Sequence, residues 1–301
     1  MSDIKIHVFH TGEVCVAPDL PFGGENCNAV KASGVFGKKE DRLWLPVSAY
    51  LIEHPKGKLL VDTGWARDMS PNGEFDKKAQ IKSLGSVVLY EVNQGRITVY
   101  VCAADLSVVD AAYEVFDFTL ENNLKIDVLI NNAGFGDAGA FSERDWQRHY
   151  EMVQLNVVAL MQITHLFLKP MKEQGHGKIM NLSSVAAFCA GPDMSIYYAT
   201  KAFVRSFSEA VAEEVKGTGI TVTAVCPGPT ATGFEKAADM GNKSTMFRFA
   251  KNADRVAIAC YDAMQNGKVL LYEGAFVKLM NIGSRIAPRS ITRKFAQKMN
   301  H

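Results

Sequence analysis

A tyrosine and a lysine stand four positions apart in a stretch that predicts a helix. Tyr197 and Lys201 form the pattern Tyr-x-x-x-Lys, which places both side chains on one helix face, one turn apart. An ammonium group near a phenol favours the phenolate and lowers the phenol pKa from its ordinary value of about 10. Such a tyrosine can exchange a proton with an alcohol or carbonyl oxygen near neutral pH. The spacing alone is weak evidence, and an exposed helix face is the alternative interpretation.

A serine precedes this pair at the end of a strand-like segment. Ser184 closes the sequence GKIMNLSS. Ligands bind at the carboxyl ends of the strands in open α/β sheets, and a hydroxyl there can donate a hydrogen bond to a substrate oxygen as charge develops on it. Without the tyrosine and the lysine, Ser184 would simply be a polar residue at the start of a loop.

Three further segments carry polar or conformationally special residues. One strand ends in Asn131-Asn132-Ala133-Gly134, where small residues permit close approach of a cofactor and the amides can tie loops together. Asn156 interrupts the apolar stretch MVQLNVVALMQIT, where it either bonds the local backbone or supports a proton relay. The turn Pro227-Gly228-Pro229-Thr230-Ala231-Thr232 either meets a ligand through its hydroxyls or is an ordinary loop.

The elements that must position these residues begin near Ile97. Apolar strand-like runs at 97–104, 125–133, 177–184, 219–227 and 268–274 alternate with helical stretches at 108–122, 142–172, 195–216 and 253–265. This alternation is typical of a parallel sheet covered by helices on both faces. The last four strands are predicted to be parallel neighbours, with Ser184 and Tyr197 on one side of the sheet. Ser107 and Asp145 are predicted to cap or open the first two helices.

The first 95 residues have a different texture. They contain strand-like runs at 4–9, 48–54 and 58–64, and Pro55-Lys56-Gly57 predicts an antiparallel hairpin between the second and third. The polar, Gly-containing stretch from Gly12 to Asp41 predicts an extended loop.

The segments NNAG, GKIMNLSS, GPDMSIYYATKAF and CPGPTATGF resemble the short-chain dehydrogenase/reductase family over about two hundred residues, in the family's order and spacing. The resemblance implies an α/β fold with an incomplete Rossmann-like parallel sheet, helices on both faces and a small β-rich segment in front. It also implies an NAD or NADP cofactor, without distinguishing them, and a small alcohol or carbonyl substrate. Tyr197 would be the general acid/base, Ser184 would orient the substrate oxygen, and Lys201 would lower the tyrosine pKa and hold the nicotinamide ribose. Asn156 would complete the catalytic tetrad. The implied cofactor-binding residues are Asp105, Asn131, Asn132, Ala133, Gly134, Tyr197, Lys201, Pro227, Gly228, Thr230 and Thr232.

One family feature is missing. The family opens with a strand and a T-G-x-x-x-G-x-G turn at a helix N-terminus, where backbone amides and the helix dipole bind pyrophosphate, and this sequence contains no such motif. Residues 1–95 instead resemble the opening of a metallo-β-lactamase-fold hydrolase of the lactonase type, in HVFHTGEVCVAPDLPFGG and LPVSAYLIEHPKGKLLVDTGW. That fold's H-x-H-x-D-H zinc cluster is also absent, so no metal is expected.

The chain is therefore interpreted as two incomplete domains, residues 1–95 and residues 96–301. Three functions stay open at this point: an oxidoreductase with a substitute phosphate cradle, a catalytically silent chimera unable to bind dinucleotide, and, least supported, a zinc hydrolase. The exposed edge of the strand at 125–133 must be covered by the N-terminal segment or by another subunit. A homo-oligomer is one way to cover it.

Charge, hydropathy and cysteine content indicate which partners and which cellular compartment to expect. A formal net charge of +1 gives no field for nucleic acid, and no window predicts a membrane span. The six scattered cysteines predict reduced thiols in the cytoplasm. The segment after Glu273 has six lysines and arginines among apolar residues and no acid. It predicts a cationic amphipathic region near the substrate side, with a solvated basic face on an ordinary helix as the alternative.

Overall fold

The fold is that of a computed structural model, which describes residues 5–16, 43–53, 59–64, 85–93, 96–232, 234, 238, 240 and 250–300. The strands before Cys102 are described by their backbone. The strands are β1 Lys5–Val16, β2 Leu43–Glu53, β3 Leu59–Gly64, β4 Gly85–Asn93, β5 Arg96–Ala103, β6 Val128–Asn131, β7 Gly177–Leu182, β8 Ile220–Cys226, β9 Thr230–Ala231, β10 Lys251–Asn252 and β11 Leu270–Tyr272. The α-helices are α1 Ala111–Glu121, α2 Trp146–Val153, α3 Leu160–Gln174, α4 Ser195–Glu214, α5 Ala253–Gln265, α6 Ala275–Ile286 and α7 Arg289–Asn300.

The central sheet has seven strands in the order β11-β8-β7-β6-β3-β4-β5. β6, β7, β8 and β11 are parallel neighbours, which confirms the predicted arrangement of the last four strands. A parallel sheet of this kind needs helical crossovers, and the helices between these strands supply them. The predicted fold class, a Rossmann-like sheet with helices on both faces, is confirmed.

Both faces of the sheet are covered, as its alternating side chains show. Leu129 in β6 packs into a core formed with α1, α3 and α4. Its neighbours Val128 and Ile130 pack on the opposite face against α5, where Val256 and Met264 are buried. Successive side chains of a strand point to opposite faces, so three consecutive apolar residues require a cover on each side.

The N-terminal segment is β-rich as predicted, but its pairing is not the predicted hairpin. β2 pairs antiparallel with β1, whereas β3 pairs parallel with β6 and antiparallel with β4. The hairpin prediction was wrong because the edge of β6 offers β3 a parallel partner that the local turn signal cannot reveal. β3 covers that edge, so the first of the two predicted ways of covering it is confirmed. Gly12–Val16 belong to β1, and the rest of the predicted loop lies outside the described residues.

Of the two predicted helix caps, Asp145 is confirmed and Ser107 is wrong. Asp145 caps α2, since its carboxylate accepts a hydrogen bond from the Gln147 amide at 3.1 Å. Ser107 does not cap α1, which starts four residues later after Asp110. The Ser107 hydroxyl instead donates to the Asp105 carboxylate at 2.6 Å.

The helical run Trp146–Gln174 is continuous, with a π-helical turn at Gln154–Ala159 between α2 and α3. By length and composition the run could cross a membrane. Met152, Leu155, Ile163 and Phe167 on it are nevertheless fully buried in the core. The apolar character of the run is therefore accounted for by packing against the sheet.

Candidate active site

Most of the predicted site residues meet in one cavity of about 200 Å³ at the carboxyl edge of the sheet. Strands β6, β7 and β8, the start of α4 and the first turns of α5 form its walls. From the prediction, it is lined by Asn132, Gly134, Ser184, Tyr197, Lys201, Pro227, Gly228, Thr230 and Thr232. Residues separated by a hundred positions in sequence converge here because parallel strands end at the same edge.

The side chains of Ser184 and Tyr197 both line this cavity. The Ser184 hydroxyl also accepts the Ala186 amide at 3.1 Å, which fixes its direction at the start of a short 3-10 turn. Their place in one cavity confirms that both residues lie on one side of the sheet. A substrate oxygen that approached the pair would meet two hydroxyl donors at once.

Lys201 is 4% exposed and lies one turn along α4 from Tyr197. Its Nζ donates to the Leu182 carbonyl at 2.8 Å and lies 5.8 Å from the centre of the Tyr197 ring. The Ser183 hydroxyl donates to the Lys201 carbonyl at 2.8 Å. The end of β7 therefore holds the lysine at both its main chain and its ammonium group.

The pKa values of this pair differ from the family expectation. Burial raises the pKa of Tyr197 to about 12, and the hydrogen bond with Ser184 only partly opposes that rise. Burial lowers the pKa of Lys201 to about 8. In this structure burial therefore leaves the Tyr197 pKa above its ordinary value, and the lowering by Lys201 that the resemblance implies stays a prediction. The ammonium bonds a backbone carbonyl rather than the phenol, and removal from water disfavours both charged forms.

Asn156 lies in the π-helical turn and is 1% exposed. Its amide nitrogen donates to the Phe135 carbonyl at 2.9 Å and to the Thr200 hydroxyl at 3.1 Å, while its oxygen accepts the Phe135 amide at 3.1 Å. An inserted residue in a helix reorients neighbouring side chains, and such turns are frequent at functional sites. Asn156 thereby links the loop after β6 to α4, beside Lys201.

The other predicted cofactor residues divide into two groups. The Asn131 amide points into the core and donates to Thr164 and Asn181, at 2.9 and 2.8 Å, so it ties β6 to α3 and β7. Asn131 and Ala133 are buried and do not line the described cavity. Asp105 follows β5, the edge strand that β3 and β4 separate from β6. It does not line this cavity.

Backbone hydrogen bonds hold the turn at 227–232 against the residue that follows Ser184 and against β10. The Val185 amide donates to the Pro227 carbonyl at 2.9 Å, and the Lys251 amide donates to the Pro229 carbonyl at 3.0 Å. Thr230 pairs with Lys251 in the short β9–β10 ladder. The turn is therefore a fixed wall opposite Tyr197.

A sequence profile described as short chain dehydrogenase matches residues 81–243, more than half of the chain. The chain belongs to the short-chain dehydrogenase family. The match begins before Ile97 and includes β4, which the sequence reading had not identified as a strand.

Curated relatives are similar to about half of the chain. The uncharacterized oxidoreductase YvrD of Bacillus subtilis (strain 168) is 36% identical over 138 residues, which cover 45% of this chain and 51% of the relative. The sulfoacetaldehyde reductase of Chromohalobacter salexigens is 34% identical over 154 residues, which cover 48% and 58%. The chain spans about half the length of these curated relatives.

Solved structures of the family have the same fold. A short-chain dehydrogenase from Streptomyces avermitilis aligns with a TM-score of 0.53 and 25% identity, covering 60% of this chain and 72% of that one. A short-chain dehydrogenase from Sphingobium yanoikuyae, solved in complex with NADPH, aligns with a TM-score of 0.53 and 27% identity, covering 60% and 71%.

The structure adds site residues that the sequence reading missed. The Phe234 ring packs against Tyr197 with 5.1 Å between centroids, and Met194 closes the same side of the cavity. The Tyr198 hydroxyl donates to the Asn300 side chain at 3.0 Å, and that side chain donates in turn to the Pro192 carbonyl at 2.7 Å. Only the tertiary fold brings the last helix to the site, so no local signal marks Asn300.

A cluster of three charged residues lies in the loop between β6 and α2 and at the start of α2. Asp137 is 4% exposed and accepts from Arg144 Nε at 2.8 Å and from Arg148 Nε at 2.6 Å. Burial alone would raise the pKa of the Asp137 carboxyl, but the hydrogen bonds and charges of the two arginines outweigh it and leave that pKa below its usual value. The Arg148 guanidinium also lies 5.1 Å from the centre of the Phe135 ring.

We expect Asp137→Ala to lower the free energy of unfolding by about 3–5 kcal/mol, because it removes a buried carboxylate that pairs with the buried Arg148 and the partly exposed Arg144. The matched control is Glu213→Ala, which removes the exposed partner of Lys216 and should cost less than about 1 kcal/mol. Urea denaturation of both variants gives the comparison. Equal losses would show that the Asp137 cluster contributes no more than a surface ion pair.

Proposed function

We propose that the protein is an NAD(P)-dependent oxidoreductase that interconverts a small alcohol and its carbonyl compound, with Tyr197 as the general acid/base. The observation that carries the proposal is the convergence of Ser184, Tyr197 and Lys201 on one cavity. Family membership supports the reaction class. Because the chain spans about half of its curated relatives, the activity of the whole protein is a proposal.

The protonation states favour carbonyl reduction as the readily observed direction. A phenol with a pKa raised to about 12 is neutral near pH 7 and can donate its proton to a carbonyl oxygen that gains charge. Ser184 donates a second hydrogen bond to that oxygen. Lys201 is cationic at pH 7 and stabilises the phenolate left after transfer.

The residues around Gly134 fit a nicotinamide nucleotide. A Cβ at this position would lie 2.8 Å from Asn156 Oδ1 and 3.2 Å from Lys201 Nζ, so only glycine leaves the space between the loop and these polar groups. Lys201, Asn132, Gly134 and the 227–232 turn would hold the nucleotide. When bound, it supplies or accepts the hydride.

A catalytically silent chimera is the second candidate, and the missing T-G-x-x-x-G-x-G turn favours it. Zinc hydrolysis is supported least, since no group of three or more potential metal ligands occurs within the residues that the structure describes. The resemblance of residues 1–95 to a lactonase-type fragment stays a prediction.

Consumption of NADH and of NADPH, followed by absorbance with a panel of small aldehydes and ketones, tests the proposal. Carbonyl-dependent oxidation of either nucleotide is expected. Nucleotide binding without any turnover across the panel would contradict it, and the absence of both would favour the silent chimera.

The pH profile of carbonyl reduction should fall as pH rises through about 8. Lys201 is cationic below its lowered pKa of about 8 and neutral above it, so the stabilisation of the phenolate is present at low pH and lost at high pH. Lys201→Arg should move this limb upward, because a guanidinium keeps its charge. A kcat/KM profile that stays level through pH 8 in the unmodified protein would disprove this role.

A further inference from the structure

The last two helices present an apolar face to solvent. Six large apolar side chains are exposed on them, with exposed fractions from 40% for Phe276 to 79% for Ile286. Leu279, Ile282 and Ile286 recur at intervals of three and four residues and lie together on the side of α6 opposite the buried Val277. Single exposed apolar residues are common on protein surfaces, but a contiguous apolar stripe such as this one marks an interaction site.

The charged residues of these two helices are all basic. All six basic residues of α6 and α7 are exposed, and no acidic residue follows Glu273. None of them forms an ion pair with a carboxylate of the described residues. We call the combined set the basic apolar surface; it consists of the apolar residues Phe276, Leu279, Ile282, Ile286, Ile291 and Phe295 and the basic residues Lys278, Arg285, Arg289, Arg293, Lys294 and Lys298.

The surface is fixed to the body of the fold. Val277 is buried with Val185 and Cys226 behind the 227–232 turn, and Asn300 is buried by its bonds to Tyr198 and Pro192. These contacts bury the inner side of each helix. The exposed apolar face is therefore the outer side of a docked helix pair rather than the unsatisfied inner side of a detached one.

We propose that the basic apolar surface docks the protein in the plane of an anionic lipid membrane. An interfacial helix combines apolar residues that enter the acyl boundary with lysines and arginines that meet anionic headgroups, which is the composition found here. A second copy of this chain fits worse, because a two-fold interface would place the same cations against each other. A solvated basic face, the sequence-based alternative, explains the cations but not the exposed leucine and isoleucines.

The test is co-sedimentation of the full chain with vesicles of phosphatidylcholine alone and of phosphatidylcholine mixed with phosphatidylserine. We expect binding to the mixed vesicles, little binding to the neutral ones, and release by salt because headgroup attraction is screened. The triple variant Leu279→Gln, Ile282→Gln, Ile286→Gln and the quadruple variant Arg285→Gln, Arg289→Gln, Arg293→Gln, Lys294→Gln should each bind at least tenfold more weakly.

A matched control replaces exposed apolar residues elsewhere, in Val109→Gln, Leu120→Gln and Ile258→Gln, and should bind as the unmodified chain does. Circular dichroism establishes that each variant is folded. Failure of the unmodified chain to bind the mixed vesicles would overturn the proposal, as would an equal loss in the control. Sedimentation velocity that shows a dimer broken by the triple variant, without vesicle binding, would assign the surface to a second copy.

Discussion

Replacing Tyr197 by phenylalanine is expected to abolish carbonyl reduction, with a loss of at least about a hundredfold in kcat, because the substitution removes the proton that the reaction needs. The ring is 9% exposed and packs on Phe234, and phenylalanine keeps those contacts. The fold should therefore be retained. Steady-state kinetics, with thermal unfolding measured alongside, would show the effect.

Tyr113→Phe is the matched control, because it removes a tyrosine hydroxyl from an exposed position on α1. It should leave both turnover and stability unchanged. If Tyr197→Phe turned over at the unmodified rate, Tyr197 would have no part in the proton transfer. If it unfolded instead, Ser184→Ala would provide the test, since it removes the second hydroxyl of the cavity and leaves the tyrosine ring in place.

Dinucleotide binding is expected to be at least about a hundredfold weaker than in a family member with the complete phosphate-binding turn. Charge-assisted hydrogen bonds contribute about 1.5–3 kcal/mol each, so the loss of two or three from the pyrophosphate is sufficient. The short-chain dehydrogenase of Sphingobium yanoikuyae, solved with NADPH, is a suitable reference protein. Calorimetry with NADH and NADPH on monodisperse protein measures the difference.

The described cavity wall supports this expectation. Its lining includes Ile130, Val256, Ala257 and Cys260, whose side chains carry no cation that could pair with a pyrophosphate. β3 takes the parallel position beside β6 and ends at Gly64, and the following residues contain no G-x-x-x-G-x-G spacing. Low-micromolar affinity for either nucleotide would mean that another part of the chain supplies the missing amides, and the prediction would then be wrong.

The sequence by itself determined the catalytic part of the fold. The alternation of apolar strands and amphipathic helices after Ile97 fixes a parallel sheet, because each strand must bury both faces and each crossover must return to the same edge. The Tyr-x-x-x-Lys spacing puts Tyr197 and Lys201 one turn apart in any helix. Local periodicity and helical geometry are enough for these features.

Only the tertiary structure decided which strands β3 pairs with and in which direction the pKa values of Tyr197 and Lys201 shift. A short turn signal favoured a hairpin with β2, but the free edge of β6 supplied a more distant partner. Burial, which depends on the whole fold, overrode the local effect of Lys201 on the Tyr197 pKa. The hydrogen bonds that Asn300 accepts from Tyr198 and donates to Pro192 likewise join residues about a hundred positions apart, and sequence patterns of short range carry no information about such contacts.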